Sequence, residues 1–358
     1  MAYKYREALG DLKTNISSRV ADGPSIHRLM ANENPYGCSS RVKDALIQSL
    51  ENGPSNYPDG YTTDVRMAIS KKYNVDKDAI LFGNGTDEII YMLGKAFLEP
   101  GDEVVMPALS FTSYIESALS MGGKMIYVPM KDDMSVDLDA VIASITDKTK
   151  YIVIVNPNNP TGTVFCENEQ REFMQKVPKD VLVVFDEAYA EFYKGENFPD
   201  TYSMMNEFDN LIILKTFSKI YGLASFRIGF MIANPEIITM VSRVKNVFNV
   251  SAQAMAAAGA AFGDTEFAEM VRESNAKCVK YLCQKLDELG YSYIPSHTSF
   301  MLIDIRKSCK PVVAALREKG YLVRPGSDFN LEEYIRVSIG TMEQMEGFVE
   351  AFKECVNA

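Results

Sequence analysis

A carboxylate, an amide, a lysine, an arginine and two hydroxyls stand at the borders of short apolar runs of this chain, where side chains can meet a ligand. The run Val181-Leu-Val-Val-Phe-Asp186-Glu187-Ala188-Tyr189 reads as a buried strand that ends in an acid. In open parallel sheets ligands bind beyond the carboxyl ends of the strands, so Asp186 is expected at a crevice. Asn156-Pro-Asn-Asn159-Pro160-Thr161-Gly162 follows a second run and Thr216-Phe-Ser218-Lys219 a third, with Arg227 eight residues after the lysine. These polar loops share one sheet edge. Gly83-Asn84-Gly85-Thr86-Asp87 leads from a further run into a helical pattern, offering free N–H groups and a helix N-terminus to an anion. That is the pattern of a phosphate cradle. Taken singly, an acid at a strand end is most often a cap or turn former, so the conjunction carries the reading.

Such loops need a sheet to hold them. Apolar runs rich in β-branched residues recur at 79–82, 103–106, 124–128, 151–155, 181–185, 211–214 and 228–232, and read as buried strands. Helical patterns at 87–98, before the Pro100-Gly101 stop, and at 110–120, before Gly122-Gly123, alternate with them. This predicts an α/β domain with a mostly parallel central sheet. Beyond residue 250 come an Ala-rich helix (251–262), a long charged amphipathic helix (265–289), strands at 299–305, 321–323 and 334–339, a helix at 311–319 and a final helix. That mixture predicts a smaller α+β domain. The expected division is an N-terminal segment, 1–50, joining the smaller domain, a large ligand-binding domain, 51–250, and a small C-terminal domain, 251–358.

Composition narrows the function classes. At 358 residues, 47% hydrophobic and 24% charged, this is a folded globular chain longer than the roughly 250–300 residues one core usually holds. Acids outnumber bases 48 to 37, so the overall field repels nucleic acid and anionic membranes, and neither is an expected partner. Six scattered cysteines without a C-x-x-C pair make neither a disulfide framework nor a zinc spacing. His27 and His297 are far apart, and no metal site is expected. The charged N-terminus is no signal peptide and no apolar run approaches the ~20 residues of a membrane helix, so a cytoplasmic location is expected.

In this order the four loops resemble those of the fold-type I pyridoxal-phosphate (PLP) transferases, specifically the histidinol-phosphate aminotransferase branch. The likeness runs nearly end to end, through Asn32-Glu-Asn-Pro-Tyr-Gly37, Asn56-Tyr57-Pro58-Asp59, Phe248-Asn249-Val250-Ser251, Leu322-Val-Arg324 and Ile335-Arg336-Val-Ser-Ile-Gly340-Thr341. It implies PLP as the cofactor, carried on Lys219 as a Schiff base, with the displaced lysine moving a proton between Cα and C4′. Asp186 would pair with the pyridine nitrogen, so that the ring absorbs the electrons released at Cα. Tyr189 and Asn159 would hydrogen-bond the phenolic oxygen, and Tyr114 would stack on the ring. Gly85, Thr86 and Asp87 at the helix N-terminus, the Thr216 and Ser218 hydroxyls and Arg227 would hold the phosphate.

The resemblance also implies a homodimer with shared active sites, Tyr57 reaching the phosphate in the neighbouring subunit. Arg336 and Arg324 would take the carboxylates and phosphate of small-molecule substrates, and Asn34 would lie near the substrate entrance. The implied reaction exchanges an amino group between glutamate/2-oxoglutarate and a phosphate-bearing substrate, histidinol phosphate/imidazole acetol phosphate.

The chain departs from the branch at Ser299-Phe300, where Asn-Phe is usual, and at Ser225, where Gly is usual. These departures leave open an aminotransferase for aromatic amino acids or a small phosphorylated ketone, and a PLP-dependent phosphoamino-acid decarboxylase of the same fold. A dinucleotide-binding reading rests on Gly83-x-Gly85 alone, since Glu88 stands where G-x-G-x-x-G needs its third glycine. No G-x-S-x-G elbow and no P-loop occur. A non-enzymatic PLP-binding module has little support where Lys219, Asp186 and Tyr189 are all present.

Overall fold

A computed structural model describes residues 6–10, 12, 26–51, 53–59 and 63–357; the other positions of the expected 1–50 segment lie outside these. Strand β1 (His27–Leu29) and helices α1 (Arg41–Glu51) and α2 (Thr63–Tyr73) lead into an alternating series. Its strands are β2 (Ile80–Gly83), β3 (Glu103–Pro107), β4 (Lys124–Val128), β5 (Thr149–Val155), β6 (Leu182–Asp186), β7 (Leu211–Thr216) and β8 (Gly229–Ala233). Between them lie α3 (Gly85–Phe97), α4 (Ser113–Ser120), α5 (Leu138–Ala143), α6 (Glu167–Lys176) and α7 (Thr201–Met204).

These strands form one sheet in the order β2-β8-β7-β6-β5-β3-β4. The pairs from β7 to β4 are parallel, and β8 runs antiparallel to both its neighbours. Apart from the edge strand β4, whose Lys124 and Tyr127 are exposed, the strands read as apolar runs because each is covered on both faces. Ile152, Ile154, Val183, Phe185 and Ile213 point into one core, while Tyr151, Val153, Val184, Ile212 and Leu214 point into the other. In these covered strands alternation disappears, and their ends carry the polar chemistry.

The remainder comprises α8 (Pro235–Ser242), α9 (Ala252–Phe262), α10 (Thr265–Leu289), β9 (Tyr293–Ile294), β10 (Phe300–Asp304), α11 (Cys309–Glu318), β11 (Tyr321–Pro325), β12 (Tyr334–Ser338) and α12 (Met342–Asn357). A second sheet has the order β1-β11-β12-β10-β9. Within it β1 lies parallel to β11, which carries residues from the start of the chain into this sheet.

Packing divides the chain differently from composition. Ala254, Ala257, Ala258 and Ala261 of α9 share a core with Val42 of α1 and with Ile154 and Phe185 of the larger sheet. Along α10, Val271 still belongs to that core, whereas Cys278, Leu282 and Leu286 join the core of the smaller sheet. The change of core therefore falls inside α10 rather than at residue 250. The Ala-rich character of α9 reflects close approach to α1, not a new domain.

Candidate active site

The carboxyl ends of β5, β6 and β7 and the start of α3 surround a cavity of about 240 Å³. Thr86, Asp87, Thr216, Ser218 and Arg227 line one end of it. Arg227 is held in the left-handed region (φ 49°) at the close of a short 3-10 turn. Its guanidinium donates to the Asp87 carboxylate (3.0 Å), the Ala224 carbonyl (3.1 Å) and Ser218 Oγ (3.4 Å). Gly85 opens α3 with φ 72°, and a Cβ there would overlap that guanidinium. Glycine is required by both the backbone angle and the close approach. Thr216 Oγ1 accepts from the Ser218 N–H (3.0 Å), so the loop before Lys219 is tied to the end of β7.

Asp186, at the end of β6, forms part of the cavity wall and is 3% exposed. Burial pushes its carboxyl up to about 6, against the pull of hydrogen bonds from the Tyr114 hydroxyl (2.9 Å) and the Ala188 N–H (3.1 Å). Lys219 Nζ donates to the Ala31 carbonyl (3.0 Å) and lies 5.7 Å from the centre of the Tyr189 ring. The Tyr189 oxygen accepts from Asn32 Nδ2 (2.9 Å), and Asn159 Oδ1 accepts from Arg336 Nη1 (2.6 Å). Arg336 is buried beside the Phe300 and Phe329 rings and also donates to the Met30 carbonyl (2.7 Å). Desolvation pulls its guanidinium down to about 10. Its Nε finds no partner, and among the described residues no carboxylate pairs with it.

Several expected residues stand elsewhere or do other work. Tyr114 does not face the cavity: with Ser117 and Ala118 it forms the buried side of α4, as i, i+3, i+4 spacing dictates, and it binds Asp186 from behind. Besides Tyr189, the aromatic ring that lines the cavity is Phe111, in the loop before α4. The Asp87 carboxylate is engaged with Arg227 and Ser113 Oγ (3.0 Å) and orients the cation. Asn34 uses both ends of its amide within the chain, donating to the Ile220 carbonyl (2.8 Å) and accepting from the Tyr36 N–H (2.9 Å). It lines a separate opening, because the segment turns away after Glu33. Tyr57 is 81% exposed and stacks on Phe248, outside the cavity of its own chain. Arg324 stands opposite Arg336 in register on β11 and β12 and pairs with Asp328 (2.6 Å).

Sequence reasoning passes over Asn32, whose one signal is adjacency to Asn34 in the 32–37 string. It passes over Lys215 as well. That lysine lies next to Thr216 but on the opposite side of β7, buried with Glu191 (2.6 Å) and Glu187 (3.6 Å). The two carboxylates outweigh its burial and hold its amine above the usual range.

The donor set fits PLP. One end offers hydroxyls, a helix start and a guanidinium to a phosphate, the wall offers a buried acid to a ring nitrogen, and a lysine amine stands between. Fold and cavity together define a PLP-dependent transferase of fold type I. The profile of the family "Aminotransferase class I and II" matches residues 24–352, and the chain belongs to that family. It is 40% identical over 92% of its length to the histidinol-phosphate aminotransferase of Brevibacillus brevis, of which 90% is covered. It is 41% identical to that of Caldicellulosiruptor saccharolyticus, with 92% of this chain and 91% of the relative covered. The structure of histidinol-phosphate aminotransferase from Sinorhizobium meliloti, a complex with pyridoxal-5'-phosphate, superposes with a TM-score of 0.89 at 25% identity, covering 99% of this chain and 97% of that one. Among the described residues no helix is long and apolar enough to cross a membrane.

Proposed function

We propose that this aminotransferase exchanges an amino group between glutamate/2-oxoglutarate and histidinol phosphate/imidazole acetol phosphate. The observation that carries the substrate reading is Arg336, a buried cation with an unpartnered Nε and, among the described residues, no carboxylate paired with it, with Arg324 beside it in register. Such a group stays charged at a cost unless an anion arrives. Two guanidiniums suit a site that must take a carboxylate from one substrate and a phosphate from the other.

When bound, PLP supplies an electron sink for the pair released at the substrate Cα. Thr86, Thr216, Ser218 and Arg227 would hold its phosphate, with the Asp87 carboxylate keeping Arg227 in position for that contact. Asp186 would be held ionised by the protonated ring nitrogen, an interaction its burial alone does not provide. Asn159 Nδ2 and the Tyr189 hydroxyl would orient the ring oxygen, Phe111 would pack against the ring, and Lys219 Nζ would carry the proton from Cα.

Exposure of Tyr57, with Phe248 and Val247 beside it, supports a homodimer in which Tyr57 completes the partner's phosphate site. The free cysteines support a reducing compartment, the cytoplasm.

The substrate reading is tested by kcat/KM for histidinol phosphate against phenylalanine, tyrosine and phosphoserine, with 2-oxoglutarate as acceptor. Loss of one charge-assisted contact costs about ten- to a hundredfold. Equal rates for phenylalanine and histidinol phosphate refute the substrate and leave the aminotransferase class standing. Mixing Tyr57→Phe and Lys219→Ala chains should restore activity if sites are shared.

A further inference from the structure

Residues 30–34 cross the active site as a strap between the two sheets. The Met30 carbonyl accepts from Arg336, the Ala31 carbonyl accepts from Lys219, and Asn34 donates to the Ile220 carbonyl. Asn32 lies at the centre of this strap, 2% exposed, with φ 56°. Asparagine visits that left-handed region more readily than most side chains.

Its hydrogen bonds run one way. The Asn32 backbone N–H can only donate, and it donates to Ser338 Oγ (2.9 Å). The Ser338 hydroxyl therefore has its proton available for Asn32 Oδ1, which accepts at 2.8 Å. That contact sets the amide so that Nδ2 faces Tyr189 and donates to its oxygen at 2.9 Å. The Tyr189 oxygen is thereby an acceptor on the Asn32 side, and its own proton must point elsewhere, into the cavity that Tyr189 lines. Reversing the amide would present an oxygen to Tyr189 and draw that proton away from the cavity. Ser338 follows Arg336 by two positions on β12, so one face of one strand carries both the substrate cation and the start of this chain of donors.

We infer that Asn32, its amide set by Ser338, is a positioning residue that aims the Tyr189 hydroxyl proton at the ring oxygen of the cofactor. The inference rests on the role proposed for Tyr189. Charged groups facing Tyr189 are Lys219, over its ring, and Arg336, whose charge acts on it; neither accepts a proton from it while charged.

The test is the pH midpoint of the absorbance change of the PLP-loaded enzyme, read without substrate. Tyr189→Phe should raise the midpoint by about one unit, because a lost donor destabilises the anionic ring oxygen by the equivalent of one hydrogen bond. Asn32→Asp places an acceptor against Tyr189 and should raise it by a similar amount. Asn32→Gly keeps the left-handed backbone and the N–H to Ser338 while removing the amide, and should raise it less. In a Tyr189→Phe background, Asn32→Gly should add nothing. Ser338→Ala, which frees the amide to turn, should shift the wild-type midpoint in the same direction, and an unchanged unfolding temperature identifies folded variants. A midpoint moved by Tyr189→Phe but not by any Asn32 or Ser338 variant overturns the inference alone. So does an Asn32→Gly shift that persists in full without the Tyr189 hydroxyl. A midpoint that Tyr189→Phe leaves unmoved removes the proposed role of Tyr189, and the inference with it.

Discussion

Asp186 carries a charge that the cofactor-free fold holds at a cost, and the cost can be read from stability. Its carboxyl titrates at about 6 in the folded chain against 3.8 unperturbed, with burial as the largest cause. That difference is about two units, or roughly 3 kcal/mol. The sign follows from which state holds the proton. Because the folded value is the higher one, the folded state binds the proton more tightly, and this group makes stability fall as pH rises through the window from 3.8 to about 6. Below that window the cost is absent; above it the full cost is present. The residue is fully buried, so solvent screening does not reduce it.

Asp186→Asn removes the titration. The amide cannot accept from both the Tyr114 hydroxyl and the Ala188 N–H, which sets a constant offset between the two proteins. The pH-dependent part survives the offset: the variant should gain on the wild type by about 1.4 kcal/mol between pH 5 and pH 8. Urea unfolding of both cofactor-free proteins at one fixed protein concentration measures it. A stability difference that is the same at the two pH values refutes the buried, uncompensated carboxylate. In PLP-loaded protein the trend should shrink, since the ring nitrogen's proton then meets the charge.

Four further outcomes rest on particular contacts. Lys215→Met strands Glu187 and Glu191 without their cation and should cost about 3–5 kcal/mol at pH 8, less at lower pH as Glu187 takes up a proton, with Glu187→Gln recovering part of it in a urea titration. Gly222 sits at φ 69°, and a Cβ there would overlap the Gly37 carbonyl; Gly222→Ala should lose on the order of 3 kcal/mol by thermal unfolding, and a change below about 1 kcal/mol refutes the close approach. Phe111→Leu should weaken PLP binding roughly fivefold by loss of ring contact, whereas Tyr114→Phe should act through Asp186, moving its titration further upward as the donor is lost.

The strands, their order along the chain and the four loops that end them can all be read from the linear sequence. A strand buried on both faces must be apolar throughout, so polar residues collect at its ends, and one-dimensional reading finds both. Asp186, Asn159 and Lys219 are legible for that reason, since each ends or follows such a run within a few residues, and Arg227 because it stands just before β8.

Which side chains face inward, and what they touch, is settled by folding. Three residues, His27–Leu29, form a strand because β11 lies beside them, and no apolar run announces it. Tyr114 and Phe111 are three positions apart and both aromatic, but Tyr114 falls on the buried side of α4 while Phe111, in the loop before that helix, lines the cavity. The core boundary inside α10 depends on what each turn of a continuous helix packs against. Asn32 reaches Tyr189 across 157 residues of chain and Ser338 across 306, separations at which composition and periodicity carry no information. Direction of hydrogen bonding is a property of partners, and partners exist only once the chain has folded.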